Sequence, residues 1–400
     1  MDLNQMIRKY AYTLARVGLN VQKGQPVLVE AAIEGHEFTS IFAEECYKLG
    51  ASNVVISYLD QKNLKVAAKY RDDEEFKLAD PLEKMIYEKY LEEGACYCRL
   101  EGVNPKEMED VEEALSNKIF AHVDNTRNVM RKASRDKHCQ WLIAMIPTKE
   151  WATLLFEDKD EKEALEDLWK LLFKLCYITE DNDIVAKWEE LNEVKNKKAL
   201  LLDSLNLRQL HYTSKTSGTD LYVELNPYSK YAHGSSEGIP FNANIPTEEI
   251  ATTPEKFGTH GVVYSTRPLV LGGKSIENFG FRFEDGKVVE VLANEGREML
   301  EALVKTDENA GYLGEAALVE YHSPISMSGL VYYTTLIDEN ASCHLALGRA
   351  LVPQPEDDRY TFNQSQIHID FMIGTPDLSI IGTTEDGKEV TIFENGDFAL

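Results

Sequence analysis

The residues best suited to chemistry lie late in the sequence. Six of the nine histidines, His211, His233, His260, His322, His344 and His368, fall after residue 200. Imidazoles biased toward one half favour that half for any metal chemistry. In Gln366-Ile367-His368-Ile369-Asp370-Phe371 strict alternation reads as a strand. Ile367, Ile369 and Phe371 take one face, and His368 and Asp370 take the other. Two donors spaced this way can reach one ion, each at roughly 2.0–2.2 Å. The same alternation also describes an ordinary polar face in solvent. His344 stands among small apolar residues in 338–348, which read as a buried helix entered through a polar turn. A hydrogen-bonded core histidine is the commoner occupant of such a place. Glu249 follows Pro246-Thr247-Glu248 and reads equally as a first-turn helix acid capped by Thr247. Glu315 enters an apolar strand beside Gly314, where a strand-edge charge is the plain alternative.

Together these segments supply three carboxylates, Glu249, Glu315 and Asp370, and two imidazoles, His344 and His368. That inventory suits a pair of divalent cations better than one structural zinc. Two ions about 3.5–4 Å apart, bridged by a carboxylate and a water, generate hydroxide near neutral pH and polarise a carbonyl. Hydrolysis is the chemistry indicated. No HExxH helix and no Walker A loop competes with it. The six cysteines are scattered, and the one close pair, Cys96 and Cys98, has no second pair to complete a zinc site. Reduced thiols in a cytoplasmic protein are expected.

The elements that must hold these groups differ between the two halves. In the first, Gly24-Gln25-Pro26 precedes the apolar run Val27-Leu28-Val29-Glu30-Ala31. Phe38, Ile41, Phe42 and Cys46 then recur at helical spacing, Gly50 ends that helix, and 53–58 form a second strand. Strand, helix and strand in quick succession imply a parallel sheet. Further strands are expected at 95–100 and 141–147, with an amphipathic helix over 158–177. The turn after the first strand lacks a glycine-rich fingerprint and carries Glu34 where a phosphate would dock. This sheet reads as scaffold. Beyond about residue 195, short strands at 221–225, 261–264, 280–283 and 288–291 take over, with hairpin turns at Asp285-Gly286 and Asp386-Gly387 and a helix over 296–305. The expected fold is an α/β scaffold domain with a parallel sheet over 1–195. An α+β metal-binding catalytic domain rich in antiparallel sheet follows over 196–400.

Composition excludes several partners. The 400 residues hold 42 Lys plus Arg against 68 Asp plus Glu, a net charge of −26. Such a chain attracts neither a nucleic-acid backbone nor an anionic membrane. No apolar run approaches the roughly 20 residues a bilayer span needs. The first 19 residues read as an amphipathic helix broken by Lys and Arg rather than a signal peptide. Hydrophobic residues at 43% and aromatics at 10% belong to a folded chain. Most of the acids should form a solvated surface, while an acidic cavity would suit the cationic N-terminus of a peptide.

Four longer segments carry a resemblance: Asn244-Ile245-Pro246-Thr247-Glu248-Glu249, Ser323-Pro324-Ile325-Ser326, residues 335–348 from Thr335-Leu336-Ile337-Asp338-Glu339-Asn340 to His344-Leu345-Ala346-Leu347-Gly348, and His368-Ile369-Asp370-Phe371-Met372-Ile373-Gly374. In order and spacing they resemble the M29 family of metallo-aminopeptidases, the thermophilic aminopeptidase T group. The N-terminal half resembles that family only in its α/β texture. The resemblance implies a dinuclear site on Glu249, Glu315, His344, His368 and Asp370, with zinc or cobalt as the metal. It also implies release of N-terminal residues from peptides and a homodimer. Glu249 or Glu315 would bridge the ions or accept the water proton. Two positions depart from the family. Leu351 stands where a tyrosine usually lies seven residues beyond the motif histidine, and His322 where an acid often precedes Ser323-Pro324. Tyr332, Tyr333 or Tyr360 could stand in for the missing tyrosine. Leu351 keeps one alternative open, a metal-binding chain of weak turnover or interaction scaffold; another two-metal hydrolase, such as a phosphoesterase, is a third possibility. The acidic balance counts against an anionic substrate.

Overall fold

Pro26–Ala32 is buried along nearly its whole length, and the first sheet is built around it. Burial on both faces explains why it reads as one apolar run rather than an alternation. In the computed structural model, which describes residues 1–400 except 79, 103, 105, 106, 109, 110, 136, 137, 232–234, 237, 272 and 273, the strands run in the order Asn53–Leu59, Pro26–Ala32, Cys96–Glu101, Trp141–Met145 and Asn244–Ile245. All pair in parallel. Helices His36–Lys48 and Glu161–Leu175 lie close to their expected places. The last strand comes from far along the chain. The first compact unit accordingly comprises Met1–Glu189 with Gly234–Pro246 and Gly272–Lys274. Helix Ile184–Ser204 runs through residue 195.

One buried charge pair within this unit joins residues far apart in sequence. Arg127, on helix Glu113–Arg135, donates from Nε to Glu30 Oε1 at 2.9 Å and also engages it through Nη2. Tyr97 Oη donates to Glu30 Oε2 at 3.0 Å. Burial alone would raise the Glu30 carboxyl, but the charge and hydrogen bonds of Arg127 outweigh it and hold the group below its ordinary value. Breaking a buried pair from one side strands the remaining charge, which costs about 3–5 kcal/mol. Arg127→Met is therefore expected to lower unfolding stability by that amount, read from denaturant melts. A loss below about 1 kcal/mol would show that water reaches the carboxylate.

The second unit comprises Glu190–His233, Thr247–Leu271 and Ser275–Leu400. Its eight-stranded antiparallel sheet runs Lys287–Ala293, Phe279–Glu284, Thr259–Tyr264, Asp220–Glu224, Leu207–Thr213, Ser379–Thr384, Glu389–Glu394 and Asp397–Phe398. The hairpin turn expected at Asp285-Gly286 has both residues at positive φ, 48° and 80°, as a two-residue turn requires. A four-stranded antiparallel sheet runs Ile250–Thr252, Leu313–Leu318, His344–Gly348 and His368–Met372. Leu313, Ala316, Leu318, Leu345, Leu347 and Phe371 join one core with Phe279, Phe281 and Phe283 of the larger sheet.

Two local expectations are corrected. His344 begins a strand, not a helix. Its run of small apolar residues is too short for periodicity to separate a buried strand from a helix, and pairing on both sides decides for the strand. Glu249 lies in no helix; it precedes strand Ile250–Thr252. Glu315 pairs with Ala346 on one side, while on the other the pairing with Ile250–Thr252 begins at Ala316.

Candidate metal centre

Register carries the separate acids and imidazoles to one place. Glu315 pairs with Ala346, and Ala346 with Asp370, while His344 lies opposite Ala317 and Met372, and Gly348 opposite His368. Side chains alternate across a sheet, so Glu315, His344, His368 and Asp370 share the face turned away from the Leu345, Leu347 and Phe371 core. Between them lie Ala317, Ala346 and Gly348, small residues that leave room for long polar groups, with Met372 beside His344 on the same face. Gly314 is required beside Glu315, since a Cβ there would lie 2.5 Å from the Gly348 oxygen and the Arg349 backbone. The close approach coincides with a register shift between Leu313 and Glu315.

The contacts are short and buried. His368 Nε2 lies 3.0 Å from Glu315 Oε2 and 3.4 Å from Asp370 Oδ1. His344 Nε2 lies 3.3 Å from Glu249 Oε2. The Nδ1 atoms face backbone carbonyls: His344 toward Ser342 O at 3.2 Å, and His368 toward Arg349 O at 2.6 Å. A carbonyl only accepts, so each Nδ1 carries the hydrogen and each Nε2 is turned toward carboxylates. Nε2 must then hold either a proton or a cation. Burial opposes a charged His344, yet the hydrogen bond and charge of Glu249, with Asp370 and Glu339, push it up to about 10. His368 is likewise raised well above its ordinary value, as Asp370 and Glu315 outweigh burial. Asp370 is lowered because the His368 charge overcomes its burial, whereas burial raises Glu315.

The donor chemistry fits divalent cations. Ligand atoms of Glu315, His368 and Asp370 all lie within 4.8 Å of one another. Two donors each about 2.1 Å from one ion stand roughly 3.0–3.4 Å apart for bond angles between square and tetrahedral, which is the spacing found here. Imidazole and carboxylate together suit zinc and its first-row neighbours.

The structure adds one acid that sequence reading passed over. Glu339, in the short helical turn Glu339–Ala341, is raised well above its ordinary value by burial first, then by the charges of Asp370 and Glu249. Glu315 and His344 act on it too, so its carboxyl belongs to the same cluster. The available signal was its place five residues before His344, in a segment read only as a polar turn.

The other sequence candidates lie elsewhere. His211 stacks on Tyr222 at 3.8 Å and Tyr222 on His260 at 4.8 Å, across the larger sheet. His322 is exposed and engages Asp397. His233 falls outside the described residues. Leu351 is 48% exposed. The Tyr332 hydroxyl donates to Ser328 Oγ at 2.8 Å, Tyr333 sits at a φ of 57°, and the Tyr360 ring packs on Tyr228.

Residues 3–398 match a family described as thermophilic metalloprotease (M29). The chain is 36% identical over 408 residues to Aminopeptidase 2 of Geobacillus stearothermophilus, covering 98% of this chain and 97% of that protein. It is 35% identical over 411 residues to Aminopeptidase AmpS of Bacillus subtilis (strain 168), covering 100% of both. The solved structure of wild-type AmpT from Thermus thermophilus superposes with a TM-score of 0.90 at 31% identity, over 100% of each chain.

Proposed function

The chain belongs to the M29 family of thermophilic metalloproteases, and from that premise we propose that it is a metal-dependent aminopeptidase with a dinuclear centre. The observation that carries this reading is the gathering of Glu315, His344, His368 and Asp370 on one buried sheet face, with Glu249 against His344. Glu315, His368 and Asp370 would hold one ion. Glu249 and His344 would hold the second, with Glu249 or Glu315 reaching both. Zinc or cobalt suits these donors. The N-terminal unit serves as scaffold. A homodimer acting in the cytoplasm completes the proposal, and six free, buried thiols are in keeping with a reducing compartment.

When bound, the divalent ions supply Lewis acidity for the scissile carbonyl and for the attacking water. The side chains supply the rest. Ser342 and Arg349 carbonyls fix both imidazole rings through Nδ1, so neither has to reorient during turnover. Glu249, Glu315 and Asp370 each face an imidazole. Glu249, Glu315 or Glu339, the last raised by burial and by neighbouring acids, would take up the proton of the water and return it to the departing amine. An acidic site also favours the ammonium group of a peptide N-terminus.

A panel of aminoacyl chromogenic substrates tests the proposal. Release should vanish after chelation, return with zinc or cobalt, and fail for N-acetylated peptides. No metal-restorable release from any substrate would sink the reading. Leu351, exposed and without a hydroxyl, favours a second reading: a metal-binding chain of weak turnover. Bound metal with no release across the same panel would select it.

A further inference from the structure

Glu249 stands in an irregular turn, yet both sides of that turn are fixed. On its C-terminal side Ile250 pairs with Leu318 in the site sheet. On its N-terminal side two buried side chains grip one peptide group. Lys195, on helix Ile184–Ser204, donates from Nζ to the Thr247 carbonyl at 3.2 Å. The Glu248 N–H donates to Asn340 Oδ1 at 2.7 Å. The Thr247 carbonyl and the Glu248 N–H are the two polar ends of a single peptide plane. Asn340 is itself anchored, donating from Nδ2 to Leu336 O at 3.0 Å. Asn340 is completely buried and Lys195 nearly so.

We propose that Lys195 and Asn340 act as one clamp on the Thr247–Glu248 peptide and so position Glu249 against His344. The inference rests on the reading of Glu249 as a metal ligand. Neither clamp residue is assigned a contact with substrate; both are positioning residues. A peptide plane held at both ends cannot rotate without breaking a buried hydrogen bond. Released from either partner, the turn would let the Glu249 carboxylate leave the line of His344. The half of the centre formed by Glu315, His368 and Asp370 stands on strands and does not depend on this turn. The clamp therefore governs the ion on Glu249 and His344 first, and the other only as far as Glu249 reaches it.

Coulomb's law alone makes the opposite prediction for Lys195. Removing a positive charge beside Glu248 and Glu249 should tighten a nearby cation. Loss of position should weaken it. The sign of the change separates a positioning role from simple charge.

The test is calorimetric titration of the metal-depleted full chain with zinc, comparing wild type, Asn340→Ala, Lys195→Met, the double variant and Lys195→Arg. Outer-shell partners of metal ligands change affinity by roughly 10- to 100-fold. Asn340→Ala and Lys195→Met should each weaken the second ion by that factor and affect the first less. The double variant should lose little more than the worse single variant, because both act on one peptide. Lys195→Arg, which keeps a donor, should recover most of the affinity. Wild-type affinity in Asn340→Ala, tighter binding in Lys195→Met, or additive losses would each overturn the clamp. Should Asn340→Ala fail to fold, the sign of the Lys195→Met change decides alone. Asp370→Asn is the separate control: if it too leaves both ions bound, the metal reading itself fails.

Discussion

His368→Ala is expected to abolish most turnover, lowering kcat/KM by about 10³-fold or more, and to destabilise the metal-free chain, where Glu315 and Asp370 lose the imidazole they face. His368 faces two carboxylates at once, Glu315 at 3.0 Å and Asp370 at 3.4 Å, and its ring is fixed by the Arg349 carbonyl. Without the imidazole, the two acids would have no neutral donor between them and the first ion would lose a third of its protein ligands. Lewis acidity is worth several kcal/mol of transition-state stabilisation, and each 1.36 kcal/mol is tenfold in rate. Steady-state kinetics at saturating metal checks this. A variant within tenfold of wild type would show that chemistry occurs elsewhere. Its side chain occupies the small-residue face opposite the Leu345 and Phe371 core, so no core contact is lost.

Glu339→Gln should separate proton transfer from metal binding. The substitution keeps the shape and removes the ability to take a proton. If Glu339 is the base, kcat falls by about 10²–10⁴ while both ions remain bound and KM moves little. A buried acid raised by neighbouring acids is destabilised as an anion, so neutralising it should also make the metal-free chain slightly more stable near neutral pH. The sign follows from linkage: a carboxyl raised on folding costs stability above its unfolded pKa. Equal losses of metal and of rate would instead make Glu339 a ligand. Titration and kinetics on the same preparation distinguish the two.

The legible parts of the site were those that period-2 alternation exposes. His368 and Asp370 share a strand face because Ile367, Ile369 and Phe371 must point the other way, and the core confirms that division. Glu315 was visible as an acid beside a glycine, and the reason for the glycine is the backbone of Gly348 and Arg349 pressed against it. His344 was found but placed on the wrong element, since five small apolar residues satisfy helix and strand equally. Glu249 and Glu339 sit in turns, where no period operates, and the peptide before Glu249 is bonded to Asn340 and Lys195, both distant in sequence. The parallel sheet was legible from its first strand–helix–strand unit. Its last strand, Asn244–Ile245, was not, because a two-residue pairing with Ile143 and Ala144 leaves no local pattern. The Glu30–Arg127 pair, 97 residues apart, was equally silent.

Metal content is the most direct measurement of the central claim. Elemental analysis of the purified chain, equilibrated with zinc or cobalt and freed of excess, should find two ions per chain in wild type. Glu315→Ala and His368→Ala should each hold fewer than two and release no amino acid from the chromogenic panel. One ion or none in wild type, or two ions retained in both variants, would contradict the dinuclear centre.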